Sequence, residues 1–242
     1  MISEIETTCI TCTGDRPEAF ALLKQWMINQ VVEPDQWIVV DDGQIPLEDT
    51  EGFEYYRREP QPNDYKHTLC LNLALALTKV KYSKIIIMED DDWYSPIYID
   101  YMSNLLEKTD LVGLGNLIFY YPSLKKYMEK GTVKQPALAQ TAFKKEMIPI
   151  LQDICKKALN IPDLHNKGLV DAVLWKYPID KSKKMIVYCD KYLTMGMKGM
   201  PGRIGLTTHH NKTNAKYKDD VDCKLLKSII NKDFDLYSKI IC

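Results

Sequence analysis

At 242 residues the chain is long enough for one sizeable core, or one domain with an appendage, and its 45% hydrophobic and 27% charged residues are ordinary for a soluble globular protein. A formal net charge of −1 gives no global field that would gather nucleic acid or an acidic membrane surface. No apolar run approaches the roughly 18–20 residues that span a bilayer, and acids stand near the N-terminus where a signal peptide carries positive charge, so a cytoplasmic protein is expected.

Ile5 to Thr13 reads as a first strand. The segment TGDRPEAFALLKQWMINQ then starts a helix. Asp15 and Glu18 have capping-box spacing, Pro17 suits the first turn, and Phe20, Leu23, Trp26 and Met27 share a face. QWIVVDDG is a second buried strand, FEYYRREPQPN a short strand and loop, YKHTLCLNLALALTKV a helix, and KYSKIIIMEDDD another buried strand. This β-α-β-β-α-β order predicts an α/β fold with a mainly parallel sheet.

Further on, LVGLGNLIFYY reads as strand, QPALAQTAFKKEMIPILQDICKKAL as a strand or turn leading into a helix, and KGLVDAVLWKYP as a short helix. KMIVYCDKYLTMGMKGMPGRIGLTTHHN reads as a strand and a long glycine-rich loop. Val221, Leu225, Ile229, Leu236 and Ile240 space a C-terminal helix, with a break near Asn231. The seven cysteines are odd in number and lack framework spacing, which fits free thiols. The lone Cys9-x-x-Cys12 lies on a strand, whose geometry sends residues three apart to opposite faces.

The acids stand out. Ile85 to Met88 run directly into Glu89, Asp90, Asp91 and Asp92. Four adjacent carboxylates repel, so a positive partner is expected, a divalent cation first. In a parallel sheet, ligands bind beyond the carboxyl ends of the strands. Asp41 and Asp42, the TGDRP turn and the four acids all fall there. The ordinary alternatives are a solvated strand end, with Asp92 capping a helix at SPIYIDYM, and a DDG turn.

Four segments, TCTGDRP, VVDDG, LNLALALTKVKYSKIIIMEDDDWYSPIYI and PALAQTAFKKEMI, occur in an order and spacing that resembles nucleotide-sugar-dependent glycosyltransferases of the GT-A fold, particularly the large family-2 group. The resemblance spans about residues 5 to 210. It implies a single Rossmann-like α/β domain with a mixed, mostly parallel sheet flanked by helices. The donor half would be about 1–100, the acceptor half about 101–210, and 211–242 a C-terminal helical extension.

That resemblance implies a nucleotide-sugar donor, a UDP-sugar foremost, and Mn²⁺ or Mg²⁺ at a D-x-D motif. Here the motif reads EDDD, so either Glu89 and Asp91 or Asp90 and Asp92 are the pair. Asp91 is the leading metal ligand, with Asp92 or Glu89 assisting and Asp90 on the donor. Asp41 and Asp42 would hold base and ribose, because a carboxylate accepts two hydrogen bonds from a diol. Thr13, Asp15 and Arg16 would line the base pocket. Lys198 and Arg203 would reach the diphosphate, and His209 or His210 would give a late metal ligand.

Asp171, alone in an apolar run, is the candidate general base of the inverting hexosyl- or pentosyltransferase that the resemblance implies. An exposed place on an amphipathic helix is the competing reading. Trp93, Tyr94, Tyr120 and Tyr121 read as core or as an aromatic platform. Basic groups at Arg57, Arg58 and several lysine clusters would suit a polyanionic acceptor such as hydroxymethylated phage DNA, or are a solvated lysine-rich surface, which leaves a saccharide or lipid-linked acceptor. Two other readings remain. A nucleotidyltransferase would want a glycine-rich basic loop where TGDRP stands, and an inactive GT-A binding module would not need every acid intact.

Overall fold

The computed structural model describes residues 6–62, 64, 67–132, 134–160, 170–203 and 217–237. Its first elements are β1 (Thr7–Thr13), α1 (Pro17–Ile28), β2 (Gln36–Asp41), β3 (Glu54–Arg57), α2 (Thr68–Leu77) and β4 (Lys84–Ile87), the order read from the sequence. Then come β5 (Trp93–Tyr94), α3 (Tyr98–Leu106), β6 (Leu111–Leu114), β7 (Asn116–Tyr121), β8 (Lys126–Gly131), β9 (Thr141–Lys144) and α4 (Ile148–Leu159). The described chain ends with α5 (Val170–Lys176), β10 (Lys184–Val187), β11 (Thr194–Met197), β12 (Lys218–Asp219), α6 (Lys224–Ile230) and a 3₁₀ segment, Asn231–Tyr237.

The main sheet has seven strands in the order β10-β6-β9-β4-β1-β2-β3. All of its pairings are parallel except those of β9, which runs against both β4 and β6. A smaller sheet, β12-β8-β7-β11-β5, is mostly antiparallel, with one parallel pair between β7 and β11.

Each central strand is buried on both faces, which explains its unbroken run of apolar residues and threonine. Alternate residues serve different layers. Cys9, Val39, Ile86 and Val112 face α1, α3, the small sheet and the C-terminal segment. Ile10, Ile38, Ile85, Ile87 and Phe143 face α2, α4 and α5. Cys9 and Cys12 divide between these layers, as the strand reading required, and the six described cysteines are all free.

Several expectations are corrected. No capping box forms: Arg16 is the N-cap residue of α1 without a side-chain cap, and Asp15 takes φ +54° and accepts from the Gln44 N–H at 2.6 Å. The loop after β1 needs that carboxylate more than the helix does. Ile97, not Asp92, precedes α3. LVGLGNLIFYY is two strands, β6 and β7, which part at Gly115 into different sheets. TMGM, read as loop, is the fully buried β11. The C-terminal helix does break at Asn231, which has φ +48°. Its core-facing stripe is Leu226, Ile230 and Tyr237, however, while Val221 and Leu236 lie exposed. A short helix followed by a tighter 3₁₀ turn shifts the phase of that stripe.

Among the described residues no helix is long and apolar enough to cross a membrane. Because β1, β2, β3 and β4 run parallel, Thr13, Asp41, Arg57 and the residues after Ile87 all emerge at one edge of the sheet.

Candidate functional site

Beyond β4 the four acids separate into two directions. Asp90 turns toward β1. It accepts from the Thr13 hydroxyl at 2.7 Å and pairs with Arg16 Nη1 at 3.0 Å. Glu89, Asp91 and Asp92 turn together, and one carboxylate oxygen from each lies within 4.8 Å of the others. The converging set holds both residues of the Glu89/Asp91 register, skips Asp90, and adds Asp92; these are the three acids that the sequence reading placed on the metal.

Two resident cations touch the cluster. Arg16 Nη1 also pairs with Asp91 at 2.8 Å, and Lys198 Nζ stands 3.5 Å from Asp92. Asp92 further accepts from the Met197 N–H at 3.1 Å. Among the described residues the Glu89 carboxylate has no hydrogen bond or ion pair. With all four carboxylates ionised, Arg16 and Lys198 leave two negative charges, which one divalent cation would balance. The donors are all hard oxygens, the set that Mg²⁺ and Mn²⁺ prefer. The Arg16 Nε–H is also buried without a partner among the described residues. A buried orphan donor of this kind fits a missing anionic partner.

The electrostatics agree. Burial raises the carboxyl of Asp92 to about 7, and Lys198 only partly offsets this. Burial likewise raises Asp90 to about 6 against the pull of Arg16 and Thr13. Glu89 is raised by burial and by Asp92 and Asp91. For Lys198, burial opposes the charge, but Asp92, Asp91 and Glu89 outweigh it and hold the ammonium above its usual range.

At the end of β2 the acids face different tasks. Asp41 holds its own loop. It accepts from the N–H groups of Gly43 at 2.8 Å and Leu47 at 3.1 Å and from the Tyr55 hydroxyl at 2.8 Å, with Arg57 at 3.5 Å. Asp42 lies between two guanidinium groups, Arg58 and Arg203, the latter at 2.6 Å. Arg58 also reaches Asp64 at 2.5 Å and the Asn72 side-chain oxygen at 2.6 Å. The sequence reading counted Arg57 and Arg58 only as surface positive charge. Their signal was their position, at and just after the carboxyl end of a strand parallel to β2.

The segment 198–203 straps across this edge from Asp92 to Asp42. Arg203 N donates to Asp15 O at 2.9 Å. Gly202 takes φ +97°, and a Cβ there would lie 2.2 Å from Asp15 O. At Gly14 a Cβ would meet Arg203 Nη2 and Asp42 Oδ1 at 2.5 Å. Both positions need glycine for close approach rather than for flexibility. His209 and His210 lie outside the described residues.

Asp171 opens α5. Burial raises its carboxyl, and it is near enough to add to the raised value of Glu89. It accepts from Ala172 N at 2.7 Å and from its own backbone N–H. Of the four aromatic residues weighed as a platform, all are buried: Trp93 donates to Asp233 at 2.9 Å, and Tyr120 to Asp220 at 3.0 Å. They are core.

No protein-family model matches the sequence, and no curated protein matches it. The fold is similar to that of TarS, a glycosyltransferase of S. aureus. One TarS structure gives a TM-score of 0.51 at 9% identity over 79% of this chain and 36% of that one. The structure of TarS 1-349 gives 0.51 at 10% identity over 79% and 60%. The chain thus spans between a third and two thirds of those proteins, and at such identity the likeness is one of fold. This α/β chain has a GT-A-like fold, with its acid cluster at the carboxyl edge of the main sheet.

Proposed function

We propose that the chain is a metal-dependent glycosyltransferase that moves a sugar from a nucleotide-sugar, a UDP-sugar foremost, to an acceptor hydroxyl. The observation that carries this reading is the convergence of Glu89, Asp91 and Asp92 beside Arg16 and Lys198. The GT-A-like fold supports it.

Glu89, Asp91 and Asp92 would hold a divalent cation, which when bound supplies Lewis-acid charge for the leaving diphosphate. Arg16, with its free Nε–H, and Lys198 would carry further positive charge to that diphosphate. Asp42, set between Arg58 and Arg203, would take the nucleoside, with Thr13 and Asp15 fixing the adjoining turn. Asp171 would accept the acceptor hydroxyl's proton. A carboxyl raised by burial is a better base than a solvated one, provided it is ionised at the working pH.

The test is release of nucleoside diphosphate from a panel of nucleotide-sugars, with Mn²⁺ and with chelator. Release from one donor class, lost on chelation, is expected. A folded protein that releases none refutes the reading.

A further inference from the structure

Trp93, Tyr94, Tyr120 and Tyr121 are buried, but among the described residues one aromatic outside that set stands exposed at the same edge. Tyr188 follows β10 directly, at the carboxyl edge of the main sheet, and is 52% exposed. Its ring lies on backbone. A Cβ at Gly115 would meet the ring at 2.6 Å, and one at Gly131 at 3.8 Å. The chain just beyond it is pinned, because the Asn116 amide donates to Cys189 O at 3.1 Å and Cys189 N donates back at 3.2 Å. Among the described residues its hydroxyl has no partner.

Its place relative to Asp171 follows from packing. A Cβ at Gly113 would meet Trp175 Cζ2 at 2.6 Å, so α5 covers the face of β6 on which Tyr188 covers Gly115, two residues on. Lys184, at the start of β10, donates to Trp175 O at 3.2 Å and to Tyr177 O at 2.5 Å. The carboxyl end of α5 therefore lies toward the amino edge of the sheet, and Asp171 toward the carboxyl edge. Four helical residues rise about 6 Å, and two strand residues advance about 7 Å. These rises put Asp171 toward the carboxyl edge, on the side of the sheet that carries Tyr188. The Lys130 charge, next to Gly131, also reaches Asp171.

The geometry points to Tyr188 as a stacking platform for a saccharide acceptor, holding the apolar face of a sugar ring beside Asp171. This rests on the glycosyltransferase reading. The platform is a single ring, and charges of both signs lie near it: Lys130, Asp171, and Glu129, which is already paired with Lys218. A polynucleotide would want a basic groove with successive aromatics, so a sugar ring fits better.

Saturation-transfer NMR with methyl glycosides at high concentration tests this, alongside a short oligodeoxythymidylate and the thermal shift produced by UDP-sugar with Mn²⁺. Transfer to ring C–H protons is expected in wild type and in Tyr188→Phe and is expected to vanish in Tyr188→Ala, while the donor-induced shift stays unchanged in all three. Equal saccharide transfer in Tyr188→Ala, no transfer in wild type, or binding of the oligonucleotide alone overturns the platform. A wild type with no donor shift but Tyr188-dependent sugar binding would instead sink the transferase reading and leave the platform standing. Tyr188→Phe, which keeps the ring, guards against a folding defect in Tyr188→Ala.

Discussion

Replacing Arg58 with alanine removes a guanidinium that joins three elements. It pairs with Asp42, whose side chain is 1% exposed, and with Asp64 at 2.5 Å, and it donates to Asn72 at 2.6 Å. Its own side chain is only 16% exposed, so solvent screens these contacts weakly. Breaking one partner of a buried ion pair costs about 3–5 kcal/mol. Arg203 stays on Asp42 and places the expected loss near the lower end, about 3 kcal/mol. For a chain of this length each kcal/mol moves the midpoint by about 2–4 °C, so a fall of about 6–12 °C is expected. Arg58→Lys keeps the charge but loses the planar fork, and should fall in between. Urea titration with thermal melts measures both. A loss under about 1 kcal/mol for Arg58→Ala, within the range of exposed pairs, would refute the reasoning.

Other outcomes follow from the same geometry. Gly202→Ala puts a Cβ against Asp15 O at positive φ and should cost more than about 1 kcal/mol, with weaker donor binding, in melts with and without UDP. Asp171→Asn should lower transfer by about 100-fold or more while leaving the donor-induced thermal shift intact. Mn²⁺ affinity, measured by calorimetry, should fall as pH drops below about 7, because protons compete for Asp92 and Glu89. Chelated protein should show the reverse trend in stability. Asp92 and Asp90 have folded values of about 7 and about 6, above the unfolded carboxylate value. The folded state therefore binds protons more tightly, and stability should rise as pH falls from 7.5 to 5.5. Asp92→Asn should flatten that rise.

The first six elements were legible because their signals are local. A strand buried on both faces must be apolar throughout, as Ile85 to Met88 are, and α1 and α2 show their buried stripes directly. The acid cluster was legible from position alone, since parallel strands bring their carboxyl ends together. The separation of Asp90 from the other three came from the resemblance, not from any local pattern: Asp90 is turned away by Thr13 and Arg16, more than seventy residues earlier. The small sheet was hidden for a similar reason. β8 is lysine-rich and half solvated, and β11 carries Gly196 against Phe119, so neither shows clean alternation. Arg58 and Tyr188 escaped because each looks like an ordinary surface residue until its neighbours are in place.

The central claim is that Glu89, Asp91 and Asp92 hold a divalent cation that the donor diphosphate completes. Thermal shift with UDP-sugar plus Mn²⁺, against the same donor with chelator, tests it most directly, in wild type and in Asp91→Ala. The account predicts a rise in midpoint that needs both donor and metal and disappears in Asp91→Ala. A donor shift that survives chelation and the substitution would contradict it.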